Sequence, residues 1–199
     1  MLQAHRLGRN RVVLFDDVDV NVQLDALLPN GTRMVQSRII RTATRKSVAQ
    51  ISAEIRQAER GADVDRRRYA ATLAFAHLPR LVRAPVWHMV LGRPLTSKRL
   101  GGTVAVSSVG MFATGLGWGI PIAPVPLMVT VGGIGPRAVL RDGRLEHRDH
   151  VSLTVSVDHD LIDGAPAAQF IDRLRGLLEG AHGIGNAISQ AQAADGSAR

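Results

Sequence analysis

Apolar and polar residues alternate along Val151–Val157, a pattern that predicts a strand with one face toward the core. A helix is predicted from Ala165 to about Glu179, ending at Gly180, because apolar residues recur at helical spacing and glycine commonly ends a helix. The polar run Asp158–Gly164 lies between these two elements. It is therefore a strand-to-helix turn, where rigid elements present side chains to ligands.

The first sixty residues contain three further signals. Residues Arg11–Val22 indicate an extended strand or a pair of strands, and Pro29–Gly31 indicates a turn. Ser47 and Gln50 have the spacing of a capping box, which predicts a helix from Ser47 to about Arg60.

A hairpin is predicted upstream of the alternating strand. The dipeptide Asp142–Gly143 stands between two segments of strand-like residues, Ala138–Arg141 and Arg144–His147. Asp-Gly suits a two-residue turn in which both residues adopt positive φ angles. The sequence therefore predicts a β-hairpin at this point.

Residues 61–98 have a different character. Ala70–Ala76 and Leu81–Leu91 show amphipathic helical patterns, which Pro79 and Pro85 are expected to break. This segment suits core packing, a contact between subunits or a membrane-surface element. We favour packing or a subunit contact.

Composition restricts the possible functions. The chain has 199 residues, enough for one domain with a real core. It has no cysteine, which excludes disulfides, thiol nucleophiles and zinc–thiolate sites and suits a cytoplasmic location. No apolar run reaches the length of a transmembrane helix, and the N-terminus lacks a signal-peptide pattern.

The net charge of +8 comes almost entirely from arginine, since Lys46 and Lys98 are the only lysines. Arginine side chains bind phosphates and carboxylates, so the excess suits either a solvated basic face or an anionic ligand. Nucleic acid is not expected, because aromatic residues make up only 4% of the chain and no binding motif is present.

His159 is the candidate for chemistry within the turn. A neutral imidazole there would accept a proton near pH 7, and the positive end of the following helix favours the neutral form. The alternatives are a simple helix cap or a calcium loop built from Asp158, Asp160 and Asp163. Calcium fits poorly, because position twelve of such a loop would be Gln169 rather than glutamate.

Four segments together resemble one family. Asp158–Gly164 resembles the Asp-His-Arg-x-x-Asp-Gly signature of the 2-oxo acid dehydrogenase acyltransferases, whose catalytic domains are related to chloramphenicol acetyltransferase. Gly101–Gly110 resembles the Gly-Gly-Thr-x-x-x-Ser-x-x-Gly strand of that family, and Pro126–Ile134 and Gln169–Leu174 match a further strand and the last helix. The resemblance covers about residues 99 to 180, with the motifs in the family's order.

The resemblance implies a fold and a mechanism. The fold would be α/β, a shortened chloramphenicol acetyltransferase-like domain with a mixed sheet covered by helices. His159 would be the general base on a thiol, and Ser107, 52 residues earlier, would donate a hydrogen bond to the oxyanion, with Ser108 a less favoured substitute. Asp163 would hold the shape of the site by pairing with an arginine. The family's active site lies between subunits of a trimer.

The chain also departs from the family. Only about twenty residues separate the first strand from the first helix, where the full catalytic domain has further strands and a helix. Asp160 stands where the family usually has arginine, and a carboxylate there should raise the pKa of the neighbouring histidine. The loop Gly115–Pro121 is unlike the family's, and Trp118 within it either lines a pocket or packs.

These observations give the following expectations. Residues 1–182 form the acyltransferase-like domain, without a lipoyl domain or a covalently bound lipoyl group, and residues 183–199 form a disordered tail. The chain is expected to transfer acyl groups between coenzyme A and a thiol or another small or carrier-bound acceptor, as a homotrimer or a multiple of it. The alternative is a non-catalytic scaffold or binding protein of the same fold.

Overall fold

A computed structural model describes residues 2–8, 10–27, 33–59, 71, 74–112 and 114–182. The strands in these ranges are β1 (Ala4–Leu7), β2 (Arg11–Leu14), β3 (Val20–Leu27), β4 (Arg33–Ile40), β5 (Val104–Ser108), β6 (Leu127–Arg141) and β7 (Arg144–Val157). The helices are α1 (Val48–Glu59), α2 (Arg80–Leu91), α3 (Pro94–Gly101) and α4 (Gly164–Glu179). The predicted turn at Pro29–Gly31 and the predicted tail at 183–199 lie outside the described residues.

Five strands form one mixed sheet in the order β4-β3-β5-β6-β7. The three central strands are parallel, and each outer strand is antiparallel to its neighbour. β1 and β2 form a separate hairpin, which occupies part of the stretch predicted to be extended. The mixed sheet with its helices confirms the predicted α/β class.

The hairpin predicted at Asp142–Gly143 is present. β6 and β7 pair from Leu127 opposite Val157 to Arg141 opposite Arg144. Asp142 and Gly143 both have positive φ angles, 47° and 74°, as a two-residue turn of this kind requires.

Two adjacent glycines shape the middle of β6. The pairing with β7 shifts between Val131 and Ile134, so Gly132 and Gly133 form a bulge. A Cβ on Gly132 would lie 2.0 Å from the Gly117 carbonyl oxygen, and one on Gly133 would lie 1.9 Å from that of Gly115. Because these glycines lack side chains, the 114–117 loop can lie directly against β6. Residues 119–125 then continue along one face of the sheet.

The capping box of α1 is confirmed. The Ser47 backbone N–H donates to Gln50 Oε1 at 2.8 Å, and the Gln50 N–H donates to Ser47 Oγ at 3.2 Å. These reciprocal bonds satisfy two N–H groups that the first helical turn leaves without partners.

The expectation that Pro85 breaks the helical pattern is wrong. Pro79 precedes the first residue of α2 as predicted, but Pro85 lies inside that helix. Proline removes a hydrogen bond to the residue four positions earlier, Leu81, which is strongly exposed. Its carbonyl can bond to water instead, so the helix continues to Leu91.

Asp19 joins three parts of the chain that are distant in sequence. It is 3% exposed, and its backbone N–H donates to Thr103 Oγ1 at 3.0 Å, while the Thr103 N–H donates to the Asp19 carbonyl at 2.8 Å. Its carboxylate accepts from Arg41 Nη1 at 2.8 Å and from the Thr42 N–H at 2.9 Å. These contacts fix the start of β5 beside the start of β3.

Burial acts to raise the pKa of the Asp19 carboxyl, but the hydrogen bonds from Thr42 and Arg41 and the nearby positive charges outweigh it. The pKa of Asp19 therefore lies below its ordinary value of 3.8. A depressed pKa means that the ionised group stabilises the folded state above pH 3.8, and that this stabilisation is lost as the pH falls through the folded-state pKa.

Asp19→Asn is expected to lower the free energy of unfolding by about 2 kcal/mol at neutral pH, since it removes a charged acceptor from a buried hydrogen-bond cluster. The difference in the free energy of unfolding between wild type and variant should be constant from pH 5 to 8 and should shrink below about pH 3.8. Urea unfolding at several pH values measures it. Asp16→Asn, at an exposed neighbouring position, is the control. Equal losses in both variants would contradict the role given to Asp19.

Candidate active site

His159 lies on a tight turn between β7 and α4. The Asp158 N–H donates to the Pro126 carbonyl at 2.9 Å, which ties the end of β7 to the residue before β6. The N–H groups of Leu161 and Ile162 donate back to the Asp158 carbonyl at 3.0 and 2.9 Å, and Ile162 is fully buried. The turn is thus held at both sides, and the His159 side chain is presented to solvent.

Asp160 has a partner that the sequence did not indicate. Its carboxylate forms an exposed ion pair with Arg6 Nη1 on β1, and its N–H donates to Asp158 Oδ1 at 3.0 Å. The arginine lies 154 residues earlier in the chain. The negative charge that replaces the family's arginine beside His159 is therefore offset by a positive charge from the N-terminal hairpin.

Asp163 is the residue before the first turn of α4. Its side chain is exposed and makes no cap hydrogen bond, so the simple helix-cap interpretation of the turn lacks its expected contact. Within the described residues Asp163 has no arginine at ion-pair distance. Its expected pairing with an arginine stays a prediction.

Ser107 lies near the end of β5, buried on one face of the sheet. It pairs with Gln23 on β3 and with Thr130 on β6, and all three residues line one cavity of about 230 Å³. We call this the serine cavity. Ser108 is exposed and, as the next residue along the strand, points to the opposite face.

Thr130 is a polar residue that the sequence reasoning missed. It is 3% exposed, and its Oγ1 has no hydrogen-bond partner among the described residues. A buried hydroxyl without a partner costs roughly 1–3 kcal/mol, which marks it for a functional explanation. The pairing of β5 with β6 places it beside Ser107, a neighbour that only the strand register reveals.

Ser107 and the start of the histidine turn lie on different strands of the sheet. Ser107 pairs with Thr130, three residues along β6 from Leu127, which pairs with Val157 at the end of β7. Three residues along the strands and two strand spacings across correspond to roughly 14 Å between the backbones of Ser107 and Val157. A base and an oxyanion donor acting on one thioester must both lie within hydrogen-bond reach of it.

A larger cleft of about 460 Å³ borders the histidine turn. Arg6 on the N-terminal hairpin and Asp158 and Leu161 on the turn line it. Pro121, Ile122 and Met128 line both this cleft and the serine cavity. We call it the turn cleft, and it lies beside the serine cavity on the same face of the sheet.

An exposed apolar stripe crosses the same region. Every second residue from 116 to 122 is a large apolar side chain at the surface, and the exposed fractions are Leu116 41%, Trp118 66%, Ile120 88% and Ile122 103%. Trp118 therefore does not pack into the core of a single copy of the chain, since most of its side chain is exposed. Alternate apolar side chains on an exposed segment are typical of a surface that another chain covers.

No group of three or more His, Asp or Glu side chains that could hold a metal ion occurs in the part of the chain that the structure describes.

Residues 93–185 match the model of the family described as 2-oxoacid dehydrogenases acyltransferase (catalytic domain). The matched range contains the Ser107 strand, the Asp142–Gly143 hairpin and the His159 turn. Residues 93–185, just under half of the chain, are therefore similar to this acyltransferase family. The resemblance stated from the motifs is confirmed, and the match begins only after α2.

Curated relatives agree over the same part of the chain. The lipoamide acyltransferase component of the branched-chain alpha-keto acid dehydrogenase complex of Bacillus subtilis is 35% identical over 80 residues, which are 40% of this chain and 19% of that protein. The human mitochondrial dihydrolipoyllysine-residue succinyltransferase component of the 2-oxoglutarate dehydrogenase complex is 32% identical over 79 residues, 40% of this chain and 17% of that protein. The matched segment is about a fifth of each relative's length.

Solved structures extend the likeness to most of the fold. A probable dihydrolipoamide acetyltransferase from Listeria monocytogenes superposes with a TM-score of 0.57 at 21% identity, covering 89% of this chain and 62% of the other. The dihydrolipoamide acetyltransferase of Azotobacter vinelandii gives 0.58 at 22% identity, covering 89% and 60%. The expected acyltransferase fold is confirmed, in a chain that covers about three fifths of these structures.

Proposed function

We propose that this chain is a CoA-dependent acyltransferase that moves an acyl group between coenzyme A and a thiol or another small or carrier-bound acceptor. The observation that carries the proposal is the family match over residues 93–185, which includes both Ser107 and His159 in their motifs. Steady-state release of free CoA thiol from an acyl-CoA panel, with dihydrolipoamide and other small thiols and amines as acceptors, tests it.

His159 is proposed as the general base. Its exposed ring would take the proton from the acceptor thiol, and the thiolate would attack the thioester carbonyl carbon. The tetrahedral oxyanion then collapses, the bond to the CoA sulfur breaks, and the leaving thiolate takes the proton back from the imidazole. Acyl transfer is complete without any change of redox state.

Ser107 is proposed as the hydroxyl donor to the oxyanion. A donor that is already oriented in a partly enclosed cavity stabilises developing charge more than water does, by a few kcal/mol. The Thr130 hydroxyl lines the same cavity without a partner and gives the site a second donor. Asp163 is proposed to shape the histidine turn.

Coenzyme A is proposed as the anionic substrate. Residues 80–101 contain five arginine or lysine residues and no acid. Arg80, Arg93 and Arg99 in this segment are exposed, and guanidinium groups suit phosphate binding. This segment therefore carries five positive charges and no negative one beside the sheet.

We propose that the complete site forms between two copies of the chain, within a trimer or a multiple of it. The separation of roughly 14 Å between the backbones of Ser107 and Val157, the last residue before the histidine turn, supports this. The exposed apolar stripe at Leu116–Ile122, beside the serine cavity, supplies a surface for the second copy.

Subunit complementation is expected if the site is shared. Ser107→Ala and His159→Ala chains should each be almost inactive, whereas an equal mixture assembled together should recover about a quarter of the wild-type rate, since chance pairing leaves that share of sites with both groups intact. Rates of the separate and co-assembled variants, with light scattering on the same samples, measure this. A monomer, or a mixture no more active than its parts, would rule out the shared site.

A non-catalytic scaffold is the second candidate, and the apolar stripe favours assembly whether or not chemistry occurs. The reversed charge of Asp160 beside His159 would also count for a scaffold, but the ion pair with Arg6 offsets that charge. No helix in the described ranges is long and apolar enough to cross a membrane. A cytoplasmic location stays a prediction from the cysteine-free sequence.

A further inference from the structure

A second large cavity lies beneath α2 and shares Ala123–Val125 with the turn cleft. It has a volume of about 450 Å³. Its lining is mostly apolar and includes Phe75, Val86, Trp87 and Val90 from the helical segment and Ala105 from β5. We call it the apolar cavity. Phe75, Val86, Trp87 and Val90 lie before residue 93, where the family match begins, and α3 completes the helical wall from within it.

The apolar cavity borders the serine cavity. Gln23 lines both, and it pairs with Ser107 in the parallel β3–β5 ladder. One step back along the same face, Asn21 pairs with Ala105, and both line the apolar cavity. A molecule with a polar group at Ser107 therefore has an apolar space directly behind it.

The distance between Ser107 and the apolar cavity favours longer acyl groups over short ones. Ala105 and Ser107 are two residues apart on one strand, roughly 7 Å. A thioester whose carbonyl oxygen is held by Ser107 cannot reach the apolar cavity with an acetyl group alone. A chain of several methylenes along the strand direction does reach it.

The charges around the apolar cavity suit the phosphate groups of a thioester substrate whose acyl chain lies in the cavity. α2 and α3 form one side of it, and these helices carry only basic charged residues. The exposed guanidinium groups of Arg80 and Arg99 lie on them. An apolar pocket of several hundred cubic ångströms with few polar groups is typical of a small-molecule site, and the neighbouring basic surface suits phosphates.

We propose that the apolar cavity binds the hydrocarbon chain of a medium-length acyl-CoA, such as octanoyl-CoA, and makes the enzyme selective for such substrates. This rests on the proposed acyltransferase function. Each methylene that leaves water is worth roughly fourfold in affinity, so octanoyl-CoA should bind at least about tenfold more tightly than acetyl-CoA.

Filling the cavity tests the selectivity. Val90→Phe adds volume inside the apolar cavity and is expected to lower kcat/KM for octanoyl-CoA by about tenfold or more, with acetyl-CoA changed by less than about twofold. Met89→Phe, the same type of substitution at the exposed neighbouring position on α2, is the matched control and should leave both values unchanged. Equal losses for both substrates, or no loss in Val90→Phe, would overturn the proposal while leaving the acyltransferase function intact.

A binding measurement keeps the test independent of turnover. Trp87 lines the cavity and Trp118 does not, and the chain has two tryptophans, so Trp118→Phe leaves Trp87 as the only indole reporter. Octanoate and octanoyl-CoA are expected to shift its emission, and Val90→Phe in the same background should abolish the shift. If no acyl-CoA turns over but octanoate still binds, the cavity assignment stands and the acyltransferase function fails. Absence of any shift at millimolar octanoate overturns the cavity assignment.

Discussion

Replacing His159 by alanine is expected to lower acyl transfer by about a hundred- to ten-thousand-fold, the usual cost of losing a general base. The side chain is exposed on a turn that is held through the backbone and carbonyl of Asp158, so the fold and the assembly should be unaffected. Initial rates with the best acyl-CoA of the panel, together with thermal melting and light scattering, measure the two effects separately.

The matched control is His147→Ala. His147 is an exposed histidine on β7, paired with Ala138 near the hairpin tip and far from the turn. It should retain the wild-type rate. Equal rates for wild type and His159→Ala would remove His159 from the mechanism, and a panel on which neither protein acts would favour the scaffold.

Replacing Ser107 by alanine is expected to lower kcat by about a hundredfold or more, because it removes a donor that acts on the oxyanion rather than on the bound substrate. KM for acyl-CoA should change little for the same reason. The substitution removes one oxygen from a residue next to a cavity, so stability should be close to wild type. Steady-state kinetics with a melting curve test both statements.

Two neighbours make this experiment specific. Ser108→Ala changes an exposed hydroxyl on the opposite face of β5 and should leave kcat unchanged. Thr130→Val removes the unpartnered hydroxyl of the serine cavity while keeping the shape of the side chain, and it should lower kcat by less than Ser107→Ala does. A large loss in Ser108→Ala with none in Ser107→Ala would transfer the role to Ser108.

Sequence signals predicted the structure correctly wherever residues close together in the chain determine the conformation. The Ser47–Gln50 capping box, the Asp142–Gly143 turn and the end of the last helix at Gly180 were predicted correctly. Each depends on hydrogen bonds or φ angles within a few residues, so the residue types alone specify it. Pro85 was the exception, since whether a helix tolerates proline depends on where the freed carbonyl points.

The sequence by itself determined the family motifs, the α/β class and the two residues proposed for catalysis, because these are contiguous patterns. Only the tertiary structure decided that Arg6 offsets Asp160, that Thr130 lies beside Ser107 and that Ser107 is separated from the histidine turn in one chain. The physical reason is that strand order and register bring together residues far apart in sequence. The apolar cavity beneath α2 arises in the same way, because side chains between residues 75 and 90 lie over β3 and β5, a placement that no local pattern specifies.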